Sequence, residues 1–564
     1  MMFRVSLFSS LLVKSNYINS EMIISGKTLT VTEEDDFGHN LINDTLFANP
    51  EIDTLITKTA ALSPLYAIKV SHVKVEGEAD TIPNEFLRGN VYLKTVELSE
   101  NITRLGAYCF AETSIEKISF LNELTFYTSS TYGNDDLGNV FYNCFSLSEI
   151  TINATIIPPK FAYGCSNLTK VTLLGSEISL GSNSFAQCTS LQSFDFTNVK
   201  TIDSYAFSYS AIENVTIPEN LTTINQYAFE YSMLQSFELY GNKTNINSYA
   251  FQGTRLKTID LTLAKSLGSG LLSQCILLEH IDIGEQVTSI GGYFAEYCTS
   301  LVSVNASFVA QIGQYAFYNC KSLESIVLMN YYAETGGYII GKYAFEFCEK
   351  LDFTFQSRDY YNIGSYAFGY CSKITLPRLN EESEISSYAF IGCEGITSLK
   401  INYQLSQGCF MGCINLEEVV YEYETDKTIP MYCFCNCSKL TTFTDKGEIE
   451  NVENYSFAST GIKEIVLSHA EISEYAFENS KIEVVTFASI KNYLAFQNCK
   501  HLEKLIISEY ADGESINAEN FRGLEDIDIE LEAGHPTLNI WNDILLYNYS
   551  QIVFLLPKFS TKKL

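Results

Sequence analysis

The sequence predicts a repeat solenoid. It should be a right-handed coil with a parallel β-sheet on one face and short irregular or 3-10 returns on the other, in about 20 repeats of ~23 residues. Three observations predict it. The landmark Ile-x-x-Tyr-Ala-Phe recurs at Ile202–Phe207, Ile224–Phe229, Ile246–Phe251, Ile312–Phe317, Ile363–Phe368, Ile385–Phe390 and Ile472–Phe477. A second landmark, Leu-x-x-Ile-x-Ile, follows it, as at Leu191–Phe196, Leu278–Ile283, Leu323–Leu328 and Leu502–Ile507. Between the two lies a position that takes Cys or a hydroxyl residue, and the choice covaries with spacing.

Taken in chain order, the elements are these. Residues 1–20 hold Arg4 and a short apolar stretch from Val5 to Val13, a weak signal or leader. Residues 21–85 lack the rhythm and should form an N-terminal cap, with a strand pair at Met22–Val31 and an acidic turn at Thr32–Phe37. The solenoid then spans residues 86–531. Its anchor aromatic falls at 86, 110, 141, 161, 185, 207, 229 and 251, and again at 294, 317, 345, 368, 390, 410, 434, 457, 477, 496 and 521, with Leu272 as the aliphatic stand-in. The alternating end of the second landmark reads as a short half-buried strand. No unit can bury its apolar face alone, so neighbours must stack. Residues 532–564, with Trp541 and a strand at Ile552–Leu556, should cap the other end. Two spacers are long, and the extra segments Tyr127–Leu137 and Asn330–Gly337 read as loops.

The position after the anchor carries the finest detail. Cys there is followed by Leu or Ile, as in Phe185-Ala-Gln-Cys188-Thr-Ser-Leu191. Where Thr113, Ser210, Ser232, Thr254, Thr460 or Ser480 replaces it, the next apolar residue arrives one position sooner. A hydroxyl that caps backbone groups suits a tighter turn, whereas a thiol is a small buried plug. Cys144, Cys188, Cys320, Cys348, Cys371, Cys393, Cys413, Cys437 and Cys499 are therefore expected to be structural rungs.

The recurring Ala-Phe-x-x-Cys-x-x-Leu pattern resembles the BspA-like leucine-rich-repeat family. The resemblance covers roughly residues 86 to 531. It implies a surface or secreted protein that adheres to matrix or host proteins, although the leader and C-terminus lack the overt signal and anchor of such members.

Composition limits the chemistry. The 564 residues are 46% apolar and 18% charged, with a formal net charge of −31. A field of that sign repels phosphate backbones, so no nucleic-acid partner is expected. Sixteen Cys are too sparse for a disulfide scaffold. No apolar run reaches the ~18 residues of a transmembrane helix. His39, His72, His280, His469, His501 and His535 show no metal-ligand spacing, and no nucleophile elbow or phosphate loop occurs. An enzyme is not expected, nor any catalytic, cofactor or metal site.

Four features remain as candidates. Cys409 and Cys433 replace the Ala before the anchor in adjacent coils and should stack, as core residues, a redox pair or half of a zinc site. Tyr205, Tyr227, Tyr249, Tyr315, Tyr343, Tyr366, Tyr388 and Tyr475 should form a ladder, either self-stacked or a contact strip. The middle residue of each strand should face outward, giving an acidic stripe at Asp195, Glu238, Asp260 and Asp282 and an apolar stretch at Val327, Val420, Val466 and Ile506. That open sheet face could bind a protein or simply be solvated. Eleven Asn-x-Ser/Thr sequons, Asn101, Asn214, Asn220 and Asn242 among them, matter only if the chain is secreted. The expected function is non-catalytic protein binding, as an adhesin-like surface or secreted protein. The alternative is an intracellular leucine-rich-repeat scaffold.

Overall fold

The computed structural model describes residues 11–14, 21–31, 45–57, 69–127, 138–328, 337–355, 359–425, 427–446, 448–512, 516, 518–522, 524, 527–541, 544–547 and 551–555. The acidic turn expected at 32–37, the inserted segments 128–137 and 330–336, and residues 1–10 and 556–564 lie outside them. The chain divides into two compact units, Met1–Val287 and Thr288–Leu564. Each is a parallel β-solenoid, and among the described residues 3-10 geometry occurs at the returns Tyr493–Phe496 and Ala518–Phe521.

In the first unit, Glu21–Ser25 pairs antiparallel with both Leu11–Lys14 and Thr28–Val31. Parallel stacking starts at once. Thr28–Val31, Thr54–Thr57, His72–Val75 and Thr95–Glu97 lie side by side in one sheet, so coiling begins well ahead of residue 86. The second landmark supplies further parallel strands at Lys117–Glu123, Glu149–Asn153 and Lys170–Leu173, then Asn214–Ile217 beside Ser236–Leu239 and Thr258–Leu261 beside His280–Ile283. Alternation decides their faces. Val215 and Ile217 are buried while Asn214 and Thr216 are exposed.

A second parallel sheet runs alongside the first, which the sequence reading did not anticipate. It is built from the residues that lead into the first landmark. Ile156–Ile157, Ile178–Leu180, Val199–Ile202, Thr223–Ile224, Asn245–Ile246 and Ser266–Leu267 lie in register. The apolar members Ile202, Ile224 and Ile246 are fully buried, while Leu267 at the end of the row is half-buried.

The remaining side is the Tyr-Ala-Phe return, and it is hydrogen-bonded too. Tyr205, Phe207 and Tyr209 donate their amides to the carbonyls of Gln226, Ala228 and Glu230 in the next coil, at 3.1, 2.8 and 2.8 Å. Little backbone is therefore left unpaired between coils.

The second unit repeats this plan. Ser398–Ile401, Glu418–Tyr421 and Thr442–Asp445 form one parallel group, and Glu464–Ile472, Val484–Ile490, Lys504–Ile507 and Asp528–Leu531 another. Its second sheet runs from Ser289–Ile290 through Gln311–Ile312, Tyr338–Ile340 and Tyr361–Ile363 to Glu384–Ile385. Three antiparallel strands, Leu538–Trp541, Ile544–Tyr547 and Gln551–Leu555, follow the last coil.

The core of each unit is a stack of Phe rings. Phe185, Phe207, Phe229 and Phe251 lie face to face, as do Phe317, Phe345, Phe368, Phe390, Phe410, Phe434, Phe457, Phe477 and Phe496. Across these pairs the centroids are 5.3–6.1 Å apart and the planes tilt by 2–18°.

Three anchors need correction. Leu87, Ala162 and Ala295, rather than Phe86, Phe161 and Phe294, make the anchor's hydrogen bond to the following coil, at 2.8, 2.7 and 2.7 Å. The displaced rings occupy the position usually held by Ala. They meet their neighbours edge-on, with planes 84° apart for Phe86–Phe110 and Phe141–Phe161, and 72° and 68° for Phe161–Phe185 and Phe294–Phe317. The signal was available in the sequence. Cys165 and Cys298 come four residues after Phe161 and Phe294, whereas Cys188 comes three after Phe185.

Candidate interaction surface

Most coils carry two backbone positions with positive φ, two residues before and two after the anchor. Glycine holds some of them, as at Gly253, Gly270, Gly392 and Gly408, but tyrosine holds many, including Tyr205, Tyr209, Tyr227, Tyr231, Tyr366 and Tyr370, with φ between 48° and 61°. A bulky residue in this region is strained by roughly 1–2 kcal/mol. Stacking offsets that cost. Tyr205–Tyr227 and Tyr227–Tyr249 lie 4.8 and 5.0 Å apart, and Tyr315–Tyr343, Tyr343–Tyr366 and Tyr366–Tyr388 lie 4.7, 5.0 and 5.0 Å apart. Tyr455–Tyr475, at 5.0 Å, extends the same column.

The first two runs end on a glycine. A Cβ at Gly270 or Gly408 would run into the ring of Tyr249 or Tyr388. The ladder rings are half-buried by their neighbours and present edges rather than faces.

Eight of the nine rung cysteines are buried, and Cys499 is half-buried. Their thiols donate to the anchor carbonyl of the preceding coil: Cys144 to Phe110 at 3.0 Å, Cys348 to Phe317 at 3.2 Å, Cys371 to Phe345 at 3.1 Å, Cys393 to Phe368 at 3.0 Å, Cys413 to Phe390 at 3.3 Å and Cys437 to Phe410 at 3.2 Å. Cys188 and Cys320 donate to Ala162 and Ala295, and the half-buried Cys499 donates to Phe477. Burial pushes the Cys188 thiol up to about 12, which keeps it a neutral donor.

Among the hydroxyl rungs, Thr113 and Thr460 cap their own anchor carbonyls at 2.8 and 2.9 Å. Ser210 and Ser232 are buried without a partner in the structure, so capping does not explain them. Cys409 and Cys433 do stack, with sulfurs 3.5 Å apart. Among the described residues, no group of three or more His, Cys, Asp or Glu is placed to hold a metal ion.

Glu238, Asp260 and Asp282 are exposed, and Asp260 lies directly opposite Asp282 across adjacent strands. Asp195 is exposed too, but no strand forms around it. Two of these carboxylates also serve local structure. Asp195 accepts from the Thr197 amide at 2.9 Å and hydroxyl at 2.6 Å, and Asp260 accepts from Thr262 at the same distances. The Thr197 hydroxyl and amide hold the Asp195 carboxyl below its ordinary range. Spacing alone had not revealed these Asx turns.

In the second unit Val327 and Val466 stand 43% and 55% exposed in mid-strand, while Val420 and Ile506 are half-buried. Val466 lies in register with Thr486, and Thr486 with Ile506.

The profile of the BspA type leucine rich repeat region matches six times, over residues 57–138, 137–257, 232–339, 311–427, 338–459 and 427–533. The chain belongs to the BspA-type leucine-rich-repeat family. No curated protein matches the sequence. Among solved structures, a leucine-rich repeat protein from Bacteroides ovatus is 15% identical, with 94% of this chain and 100% of that one covered and a TM-score of 0.42. One from Eubacterium ventriosum is 19% identical over 64% of this chain and 95% of that one, with a TM-score of 0.35. A leucine rich cell surface protein from Faecalibacterium prausnitzii is 16% identical over 93% and 96%, with a TM-score of 0.25. Among the described residues, no helix is long and apolar enough to cross a membrane.

Proposed function

We propose that this BspA-type solenoid is a non-catalytic protein-binding module, adhesin-like and exposed at the cell surface or secreted, that contacts host or matrix proteins through the outer face of its first sheet. One observation carries the reading. Parallel sheets are normally covered on both faces, yet here Val327 and Val466 stand uncovered in mid-strand on the outer face. The acidic side chains Glu238, Asp260 and Asp282 on the corresponding face of the first unit supply complementarity for a basic partner.

The test is binding to a panel of immobilised matrix proteins. Changing Asp195, Glu238, Asp260 and Asp282 to Lys should abolish binding if the acidic row is used, and changing Val327 and Val466 to Ser should do so if the apolar row is. Affinity unchanged in both variants would sink the sheet-face assignment.

A specific observation also favours an intracellular scaffold: all sixteen cysteines are free thiols. Intact-mass and peptide mapping of protein from its native cells separates the two locations. A trimmed N-terminus with occupied sequons supports the surface reading; an intact Met1 and bare Asn residues support the scaffold.

A further inference from the structure

A hollow opens at one corner of the first unit, where the chain passes from the first sheet to the second. Its origin lies in loop length. Between Ile217 and Thr223, and between Leu239 and Asn245, the corner takes five residues (218–222 and 240–244). Between Leu261 and Ser266 it takes four (262–265). The shorter corner leaves a notch of about 350 Å³ lined by Glu219, Tyr240, Gly241, Asn242, Lys243 and Leu263.

The lining is chemically mixed. Tyr240 is 60% exposed, and its hydroxyl donates to Glu238 at 3.1 Å, which fixes the ring. Leu263, 41% exposed, adds an apolar wall. Gly241 packs against the Glu219 backbone so closely that a Cβ would sit 2.8 Å from the Glu219 Cα, which draws the two corners together. Glu219, Asn242 and Lys243 are exposed. They bring an acceptor pair, an amide that both donates and accepts, and a three-proton donor to one rim.

We propose that this notch binds the neutral pyranose ring of a glycan. A pyranose has a face of C–H bonds, which suits the electron-rich face of a fixed aromatic ring. It also carries adjacent hydroxyls that both donate and accept, which suit the carboxylate, amide and ammonium on the rim. The volume falls in the range of small-ligand sites. Glu219 and Glu238 at the notch, with a net charge of −31 on the chain, disfavour sugars that bear a carboxylate. The notch lies beside the outward row of the first sheet and shares Glu238 with it through the Tyr240 hydroxyl, but Tyr240→Ala and Glu219→Gln leave the carboxylates of that row in place, so the two readings are tested by different variants.

Saturation-transfer NMR on the full chain tests it, with lactose and maltotriose as neutral probes and sialylated lactose as the anionic one. Transfer concentrated on one face of one sugar ring is expected for a neutral probe, with weaker transfer to the sialylated sugar. Tyr240→Ala should weaken binding about tenfold, a loss of ~1.4 kcal/mol, while Tyr240→Phe, which keeps the ring, should retain most of it. Glu219→Gln, at an exposed site, provides a second variant that does not threaten folding and should also weaken binding. A neutral-glycan glycoprotein should bind until its glycans are removed enzymatically, which separates a displayed glycan from free sugar. No transfer to either neutral probe, equal transfer to the sialylated sugar, or binding unchanged in Tyr240→Ala would overturn the proposal. So would a glycan found attached to Asn242 in native protein, because it would fill the notch covalently.

Discussion

Tyrosine at a left-handed backbone position reverses the usual order of harm among substitutions. At Tyr227, φ is 59° and the ring is stacked on both sides. Removing the ring forfeits roughly 0.5–1.5 kcal/mol per stacked pair. Glycine, however, also releases the backbone strain, whereas alanine keeps it. Tyr227→Gly should therefore be less destabilising than Tyr227→Ala, by about 1 kcal/mol in urea unfolding; the opposite order would show that the tyrosines are not strained. A second residue-scale effect concerns Glu346. Its side chain is 7% exposed, and burial pushes its carboxyl up to about 7 from an ordinary 4.5. Between those values the unfolded chain loses the proton and the folded chain keeps it, so stability falls as pH rises from about 4.5 to about 7. Glu346→Gln should raise Tm at about pH 8 and leave it nearly unchanged at about pH 4. An equal rise at both would point to packing rather than charge.

A coil is held by matched columns, and the columns couple neighbouring coils. Gly408 has φ of 60° and lies under the Tyr388 ring. Gly408→Ala should destabilise by about 2 kcal/mol or more, from strain at positive φ plus the collision. In a Tyr388→Ala background the cost should shrink, leaving a coupling energy of roughly 1 kcal/mol in a double-mutant cycle. Additive effects would mean that the ring yields freely. Inside the coil, Phe368 stacks on both Phe345 and Phe390. Phe368→Ala should cost about 3–5 kcal/mol, read from the shift in denaturant midpoint. The exposed ion pairs between coils, such as Lys117–Glu149 at 2.7 Å and Lys427–Glu450 at 2.9 Å, contribute little by comparison.

Across the whole molecule the dominant electrostatic fact is the net charge of −31. Self-repulsion of that size opposes the compact state. Raising the salt from about 10 mM to about 150 mM shortens the screening length from about 30 Å to about 8 Å. Thermal stability should rise across that range, because the repulsion it removes outweighs weak surface ion pairs. A falling Tm would mean that the ion pairs carry more than their exposure suggests. Within each unit, coils touch their neighbours, so stability is close to a sum of coil and interface contributions.

Local period was enough to determine the solenoid, because a strand alternates every two residues and a coil returns every ~23, and both rhythms are written in the order of residue types. The buried thiols, the outward row of strand residues, the Tyr columns and the Cys409–Cys433 contact were legible for the same reason: stacking turns equal positions in successive repeats into neighbours. Other features belonged to the tertiary structure alone. The second sheet arises where Thr201, Thr223 and Asn245 line up, and two-residue strands have no periodicity to read. The notch beside Tyr240 exists because one corner is a residue shorter than the two just before it, and a missing residue acquires a location only when coils are laid against each other.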